Sequence, residues 1–392
     1  MNGLGIIDGL RKVDRRLSRR LSNVRKVLID AQTPMNFAVI DPVFKVLRRD
    51  PRIGFYFTSS TKSRGAENPF GALDRGENII STHRAAMLRF DAYIVADQMW
   101  AKLPRGSQRV YMFHGVAGKY ADVYDRPNFS MRQWHRIFFI NRRRLENFVT
   151  AGAIDSDSDA ARLVGYPKLD CLVDGSLSRD DVLRSIGIEP TENVVLYAPT
   201  WSPYSSLNLM GEDLVRQLCK AGYKVIVKLH DRSFQMDYQY SGGVNWAERL
   251  ENLLTKDGGF LARSSDATPF LAAADVMITD HSSAGFEYLL VDRPLIRIEV
   301  PELIVETRIP EEYVSLMAEA SVTVRTAEEA VRAVDRCLAD PSIKSLSRKA
   351  VSEDLFFDPG NATSRAVEEL YQILELVPFA GCAQAKETRI SL

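Results

Sequence analysis

Short apolar runs alternate with polar or helix-like segments along most of the chain, and this alternation constrains the fold more than any other feature. The runs in the first half are Val27–Ile29, Phe37–Ile40, Ile53–Phe57, Tyr93–Val95, Val110–Phe113, Ile137–Ile140 and Leu163–Val164. Those in the second half are Val194–Tyr197, Lys224–Leu229, Phe260–Leu261, Val276–Thr279 and Leu295–Ile298. Strands separated by helices are typical of parallel sheets built from βαβ units. The sequence therefore predicts an α/β protein with two Rossmann-like halves.

Amphipathic periodicity predicts helices between and after these runs. The segments are Arg142–Thr150, Glu212–Ala221, Ala327–Leu338 and Ala366–Leu376. Asn141 is a good N-cap for the first of them, and Gly222 ends the second. A chain of 392 residues is long enough for two domains. The polar segment Asp174–Pro190 lies between the halves and is the predicted linker. We expect domains at 1–175 and 176–360 that face a cleft, followed by a terminal segment at 361–392.

The overall composition excludes several classes of protein. Lys and Arg number 51 and Asp and Glu number 51, so the chain is neutral, whereas a nucleic-acid-binding protein is usually basic. The four cysteines form no CxxC pair, which predicts neither a disulfide framework nor a zinc site. The sequence has no apolar run of the roughly 18 residues that span a membrane, and no signal-peptide core. We expect a cytoplasmic protein with no nucleic-acid partner.

The N-terminal segment departs from this neutrality. Between Arg11 and Lys26 there are eight basic residues and one acidic residue, Asp14. Apolar residues recur there at steps of three and four, which predicts a basic amphipathic helix over residues 8–28. Such a helix either lies on an anionic membrane surface or a partner, or packs its apolar stripe on the body of the protein. The sequence leaves both interpretations open.

Three of the five histidines follow apolar runs directly. His114, His230 and His281 each stand where a predicted strand ends. Open α/β sheets bind their ligands at the carboxyl ends of the strands. A single histidine there is more often structural, but three at equivalent places indicate a site. His114 precedes Gly115, which lets the backbone approach a ligand closely, and is a candidate general base.

Two further strand ends carry hydroxyl residues. After Ile278–Asp280 the chain continues through His281, Ser282 and Ser283 to a helix predicted to begin at Glu287. Hydroxyls and free backbone N–H groups at a helix start can bind phosphate, although a serine there can also be only a cap. The other strand end is Thr200–Trp201, where Thr200 could bind phosphate and Trp201 could line a pocket or simply pack at a turn.

Several motifs occur in the order seen in the CDP-glycerol glycerophosphotransferases, and the chain resembles this family over roughly residues 85–376. The motifs are His114–Lys119, Gly165–Asp170, Leu196–Trp201, Lys228–His230, Thr279–Ser283, Asp292–Pro294 and Asp358–Arg365. The family contains teichoic-acid and capsule polymerases and primases with a GT-B fold. The chain departs from the usual family pattern at Asp231, His281 and Val116–Ala117.

The resemblance implies a transferase that uses no metal and no cofactor. An acceptor hydroxyl of a surface polymer or lipid-linked molecule would attack the β-phosphate of a CDP-polyol, most often CDP-glycerol, and CMP would leave. The first domain would hold the acceptor, the second would hold the donor, and the last helix would pack back on the first domain. Such an enzyme would work in the cytoplasm, peripherally at the inner face of the membrane.

Carried over by position, the resemblance also implies roles for single residues. His114 would be the base, and His230 would hold the pyrophosphate and stabilise developing charge. Glu287 would contact the ribose. The implied substrate-binding residues are Gly115, Lys119, Thr200, Trp201, Lys228, Asp280, His281, Ser282, Ser283 and Glu287. A GT-B glycosyltransferase that uses a nucleotide sugar is the alternative, and a nucleotide-sugar 2-epimerase or a non-enzymatic scaffold are further ones.

Overall fold

The computed structural model describes residues 24–59, 68–71, 73, 76–97, 106–116 and 131–382. These residues form two compact units. The first unit contains the described residues within 24–114, 131–170 and 360–382. The second unit consists mainly of residues 171–359.

The first unit is built on a seven-stranded parallel sheet in the order β3-β2-β1-β4-β5-β6-β7. Its strands are β1 Arg25–Asp30, β2 Ile53–Thr58, β3 Asn78–Ile79, β4 Ala92–Val95, β5 Gln108–Met112, β6 Arg136–Phe139 and β7 Ala161–Leu163. The order reverses between β1 and β4, as it does in a Rossmann sheet.

The second unit repeats this plan with six parallel strands in the order β10-β9-β8-β11-β12-β13. They are β8 Val194–Tyr197, β9 Lys224–Lys228, β10 Phe260–Ala262, β11 Val276–Thr279, β12 Leu295–Ile298 and β13 Val322–Val324. The reversal falls between β8 and β11. All four residues of β8 are fully buried, as expected of a parallel strand covered on both faces.

Helices connect the strands in both units. Those of the first unit are α1 Pro34–Leu47, α2 Thr82–Met87, α3 Arg142–Thr150 and, from the end of the chain, α14 Ala362–Leu374. Those of the second unit are α4 Arg179–Ser185, α5 Glu212–Lys220, α6 Tyr238–Ser241, α7 Trp246–Asp257, α8 Thr268–Ala273, α9 Ser283–Tyr288, α10 Pro301–Glu306, α11 Glu311–Ala320, α12 Ala327–Ala339 and α13 Ser345–Leu355. Short 3₁₀ turns occupy Pro167–Leu172, Asp231–Phe234, Leu289–Val291 and Ala380–Cys382, and a π-turn over Leu207–Gly211 leads into α5.

The predicted α/β fold with two Rossmann-like halves is confirmed, but the predicted strand Phe37–Ile40 is wrong. These residues lie inside helix α1. Thr33 caps the helix by accepting a hydrogen bond from the Asn36 N–H, and Pro34 starts it with a suitable fixed φ. A short apolar run in a buried helix cannot be distinguished from a strand by periodicity alone.

The predicted basic helix over residues 8–28 is wrong at its C-terminal end. Arg25–Asp30 form β1, which pairs with β2 on one side and β4 on the other. Val27, Leu28 and Ile29 are buried there, and this burial outweighs the helical spacing of the segment. Residues 8–23 of the predicted helix lie outside the described residues. Within the described part of the chain, no helix is both long and apolar enough to cross a membrane.

The end of the chain returns to the first unit through α14. Tyr371 donates a hydrogen bond to Asp50 Oδ2 at 3.1 Å, and Glu369 accepts from Arg136 at 3.1 Å and from Arg162 at 3.0 Å. The helix begins at Ala362, four residues before the predicted start at Ala366. These contacts fix the returning helix against residues distant in sequence.

A buried carboxylate explains the earlier start of α14. Asn361 at the cap position makes no side-chain cap hydrogen bond. Asp170 replaces this cap, because its carboxylate accepts from the N–H groups of Gly360 at 2.9 Å, Ala362 at 3.1 Å and Thr363 at 2.6 Å. Ala362 and Thr363 lie in the first turn, whose N–H groups the helix itself cannot satisfy, and Gly360 lies just before the cap residue. Asp170 thus joins the motif at Gly165–Asp170 to the motif at Asp358–Arg365.

We predict that Asp170→Ala lowers the free energy of unfolding by about 2 kcal/mol, because buried helix-start N–H groups lose their acceptor. Asp170→Asn should cost about half as much, since its amide retains one oxygen that can accept. Urea unfolding of both variants measures this. Asp157→Ala, which removes an exposed acid of the same unit, is the control. Equal stability of Asp170→Ala and the control would contradict the capping role.

Candidate functional site

The strand order of the second unit places most of the predicted site residues in one row. Neighbouring strands of a sheet lie about 4.8 Å apart, and the carboxyl ends of parallel strands share one edge. Along that edge, the row begins with His230 after β9, continues with Thr200 and Trp201 after β8, and reaches Asp280–Ser283 after β11. The middle of this row is the β8–β11 reversal of strand order. Ligands of open α/β sheets bind at this kind of position.

Asp280 ties the two central strand ends together. Its side chain is completely buried, and Oδ1 accepts from the N–H of Thr200 at 2.8 Å and of His281 at 2.7 Å. Oδ2 accepts from the N–H of Ser206 at 3.0 Å and from its hydroxyl at 2.9 Å. The carboxylate is therefore surrounded by the protein's own donors.

A buried tyrosine extends this network. Tyr197 Oη and Ser206 Oγ are 2.9 Å apart, and the serine already donates its hydroxyl hydrogen to Asp280. Tyr197 must then be the donor to Ser206. Burial and the nearby Asp280 charge raise the pKa of Tyr197 well above its usual value, against the hydrogen bond to Ser206. The hydroxyl stays protonated and keeps the chain of hydrogen bonds directed toward Asp280.

The turn after β11 presents two serine hydroxyls. Helix α9 begins at Ser283, so the predicted start at Glu287 is four residues late. Ser282 is the N-cap, and its Oγ accepts from the Ala284 N–H at 3.4 Å. Both serines are half-buried. In the described part of the chain their hydroxyl hydrogens have no acceptor, so both can donate to a ligand oxygen.

A glycine lets α9 approach the sheet closely enough to form this turn. A Cβ atom on Gly285 would lie 2.9 Å from Thr279 Cγ2 on β11 and 2.9 Å from Met317 Cε on α11. Any side chain at this position would push the helix away from the strand. Gly285 therefore sets the position of the Ser282–Ser283 turn.

His281 is paired with an arginine that the sequence analysis missed. Arg297 on β12 is 4% exposed, and its Nη1 lies 3.3 Å from His281 Nε2. Because a guanidinium can only donate, His281 Nε2 is the acceptor and the neutral ring carries its hydrogen on Nδ1. Arg297 also donates to Thr323 Oγ1 at 3.0 Å. Burial lowers the pKa of Arg297, and the negative charge of Glu299 opposes this effect.

His230 has the other tautomer. The side chain is exposed, and Nδ1 accepts a hydrogen bond from the backbone N–H of Arg232 at 3.1 Å. The neutral ring must then carry its hydrogen on Nε2. His230 thus has an imidazole N–H group at the end of β9. Such a donor can bind a phosphate oxygen.

Three other predicted site residues are buried within the second unit. Thr200 is 2% exposed, Glu287 is 4% exposed and Lys228 is 5% exposed. The Lys228 ammonium donates to the carbonyl oxygen of Leu229. Among the residues that the structure describes, no three His, Cys, Asp or Glu side chains are grouped so that they could hold a metal ion.

His114 belongs to the first unit, at the end of β5. Its side chain is exposed, and Nδ1 lies 2.5 Å from the carbonyl oxygen of Ala96, which follows β4. A carbonyl can only accept, so Nδ1 carries the hydrogen and Nε2 of the neutral ring has a free lone pair. Gly115 next to it is half-buried. Lys119 lies outside the described residues.

Comparison with known proteins identifies the family. The model of the CDP-Glycerol:Poly(glycerophosphate) glycerophosphotransferase family matches residues 30–372. A teichoic acid poly(glycerol phosphate) polymerase of Bacillus spizizenii is 23% identical over 228 residues, which are 52% of this chain and 54% of the polymerase. A teichoic acid glycerol-phosphate primase of Bacillus subtilis is 31% identical over 110 residues, 27% of this chain and 25% of the primase. The chain thus spans about half, or less, of the length of these curated relatives.

The solved structures agree with the fold. The structure of the wall teichoic acid polymerase TagF matches with a TM-score of 0.67 at 14% identity, over 96% of this chain and 98% of that one. At this identity the likeness establishes the shared architecture. The family model matches most of the chain, and this protein therefore belongs to the CDP-glycerol:poly(glycerophosphate) glycerophosphotransferase family.

Proposed function

We propose that the protein transfers glycerol phosphate from CDP-glycerol to a hydroxyl group of a polyol-phosphate polymer or its lipid-linked precursor, and releases CMP. Family membership supports the reaction class. The observation that carries the proposal is the hydrogen bond between His114 Nδ1 and the Ala96 carbonyl, because it leaves Nε2 able to accept a proton. An exposed, oriented imidazole of this tautomer is suited to general-base catalysis.

In the proposed reaction the acceptor hydroxyl attacks the β-phosphorus of CDP-glycerol. A new P–O bond forms to the acceptor oxygen, and the P–O bond to the CMP oxygen breaks. The hydroxyl proton passes to His114 Nε2, and the resulting imidazolium keeps its Nδ1 hydrogen bond to Ala96. CMP leaves with the electron pair of the broken bond.

Residues of the second unit would bind the donor. The Nε2–H group of His230 and the hydroxyls of Ser282 and Ser283 would donate to the pyrophosphate oxygens, which gain negative charge as the bond to CMP breaks. Asp280 would position Thr200 and His281 rather than touch the substrate, because its oxygens already accept from protein donors. A contact of Glu287 with the ribose remains a prediction.

His114 and His230 should respond differently to replacement by glutamine, and His114 should lose its function. His114→Ala and His114→Gln should both lower kcat for CMP release by about 10²- to 10⁴-fold, because neither side chain can accept the proton. Activity assays with CDP-glycerol and a polymer acceptor measure this. His83→Ala, which removes an exposed histidine of the same unit, is the control and should leave kcat unchanged. Normal turnover by His114→Gln would exclude His114 as the base.

At His230, in contrast, we expect glutamine to preserve part of the activity that alanine removes. A glutamine amide can supply the N–H donor that the Nε2–H group of His230 provides, whereas alanine cannot. His230→Ala should therefore lower kcat/KM about 10- to 100-fold, and His230→Gln should recover a large part of the loss. Steady-state kinetics measure kcat/KM for both variants. If His230→Gln were as impaired as His230→Ala, a donor role for this ring would be contradicted.

We also propose that the reaction needs no metal. The test offers CDP-glycerol, CDP-ribitol, UDP-sugars and GDP-sugars separately as donors, with EDTA present. CMP should be released from CDP-glycerol, either from this donor only or also from CDP-ribitol. Release of UDP or GDP, with the CDP-polyols untouched, would instead identify a glycosyltransferase. Loss of activity in EDTA that Mg²⁺ restores would refute metal independence only.

The basic N-terminal segment is the proposed contact with an anionic membrane surface that carries the acceptor. Deletion of residues 1–23 removes most of its basic residues and spares β1, which begins at Arg25. The deletion should reduce sedimentation of the protein with vesicles that contain anionic lipid. It should leave activity on a short soluble acceptor unchanged. Equal sedimentation of both proteins would argue that the segment packs on the body of the protein.

A further inference from the structure

An exposed arginine lies against two aromatic rings beside His230. The Arg232 guanidinium carbon is 4.4 Å from the centre of the Trp201 ring and 5.2 Å from the centre of the Tyr240 ring. The two rings contact each other edge to face, with centres 5.6 Å apart and planes at 81°. Trp201 and Tyr240 are half-buried, whereas Arg232 is exposed. We name Trp201, Arg232 and Tyr240 the arginine clamp.

No described residue neutralises the charge of Arg232. In the described part of the chain, the guanidinium forms no ion pair and no hydrogen bond with another group. Two carboxylates are near in sequence, but Asp231 forms no ion pair with it and Asp237 caps α6 by accepting from the Gln239 N–H at 3.1 Å. The aromatic contacts fix the orientation of Arg232, and its N–H donors remain available.

A second arginine of the same unit shows what a purely structural stacking contact looks like. Arg263 lies 5.2 Å from the centre of the Phe234 ring, a distance like that between Arg232 and Tyr240. Arg263 also donates to Glu251 Oε2 at 2.8 Å, so its charge is balanced. Arg232 contacts two rings instead of one, and among the described residues it has no such carboxylate partner. An oriented, unbalanced cation indicates that an anion completes the site.

The position of the clamp identifies the anion. The backbone N–H of Arg232 bonds to His230 Nδ1, so the neutral imidazole carries its hydrogen on Nε2. The Trp201 and His230 rings also contact each other, with centres 6.0 Å apart. A guanidinium and an imidazole N–H in one cluster can both donate to the oxygens of one phosphate group.

We propose that the arginine clamp binds a phosphate group of the substrate, with Arg232 as the principal donor. The inference rests on the proposed function and extends it, because it names a phosphate-binding residue that neither the strand-end pattern nor the helix start at Ser283 supplies. The phosphate belongs either to the pyrophosphate of the CDP-polyol or to a phosphodiester of the acceptor. Trp201 and Tyr240 hold the guanidinium in the orientation in which it donates to the phosphate oxygens.

Substitution of Arg232 tests the clamp. Arg232→Gln removes the charge, and Arg232→Lys keeps the charge but loses the planar pair of donors and most of the stacking. Both should raise KM about 10- to 100-fold for the substrate that carries the bound phosphate, the lysine variant less than the glutamine variant. KM is measured separately for CDP-glycerol and for a synthetic glycerol phosphate oligomer. An increase for the first assigns the clamp to the donor pyrophosphate, and an increase for the second assigns it to the acceptor phosphodiester.

Arg263→Gln is the matched control, since it removes a stacked arginine that is already neutralised, and it should leave both KM values unchanged. Thermal unfolding of all three variants checks that they are folded. Unchanged KM values for both substrates in Arg232→Gln would overturn the proposal. A decrease of kcat alone would overturn it as well.

A binding measurement separates the clamp from the proposed reaction. Calorimetric titrations with inorganic pyrophosphate and with the glycerol phosphate oligomer need no turnover. One of these two ligands should bind at least about 10-fold more weakly to Arg232→Gln than to the unmodified protein. If the protein fails to release CMP from CDP-glycerol but still shows this difference, the proposed reaction fails and the phosphate site stands. If CMP is released normally and each of the two ligands binds both proteins equally, the clamp fails and the reaction stands.

Discussion

The candidate site of the second unit depends on the hydrogen bonds that the buried Asp280 carboxylate accepts. In a Rossmann-like sheet, ligands bind in the crevice outside the carboxyl ends of the two central strands, where the strand order reverses. Four donors from the segments after β8 and β11 converge on this one buried group. An ionised carboxylate without them would be costly to bury. The segments that carry Thr200, His281 and Ser282 must therefore follow the path that satisfies Asp280.

Hydrogen bonds to backbone groups also determine the state of two histidines. The tautomer of each catalytic candidate is fixed by a backbone group, namely the Ala96 carbonyl for His114 and the Arg232 N–H for His230. One ring consequently offers a lone pair and the other offers a hydrogen. Identical side chains thus acquire opposite hydrogen-bonding capacity from their neighbours, which suits one to accept a proton and the other to bind negative charge.

The sequence was sufficient for most strands of both sheets, because these strands are apolar runs followed by polar strand ends, and this pattern placed His114, His230 and His281 at carboxyl edges. It missed the short outer strands β3 and β13, which contain only two and three residues. It failed for Phe37–Ile40, since a short run in a buried helix looks the same as one in a strand. Arg232 and Arg297 could not be assigned, because their importance comes from tertiary contacts with Trp201, Tyr240 and His281. A charged residue inside the apolar strand Leu295–Ile298 was the one available signal for Arg297.

The hydrogen bond from His114 to Ala96 has a consequence for how this enzyme can diversify. The partner is a main-chain carbonyl, which every amino acid at position 96 would supply. Substitutions there can reshape the surroundings of the imidazole without changing which nitrogen holds the hydrogen. Evolution, or a protein engineer, can therefore change the side chains around this histidine while the nitrogen that carries its hydrogen stays the same.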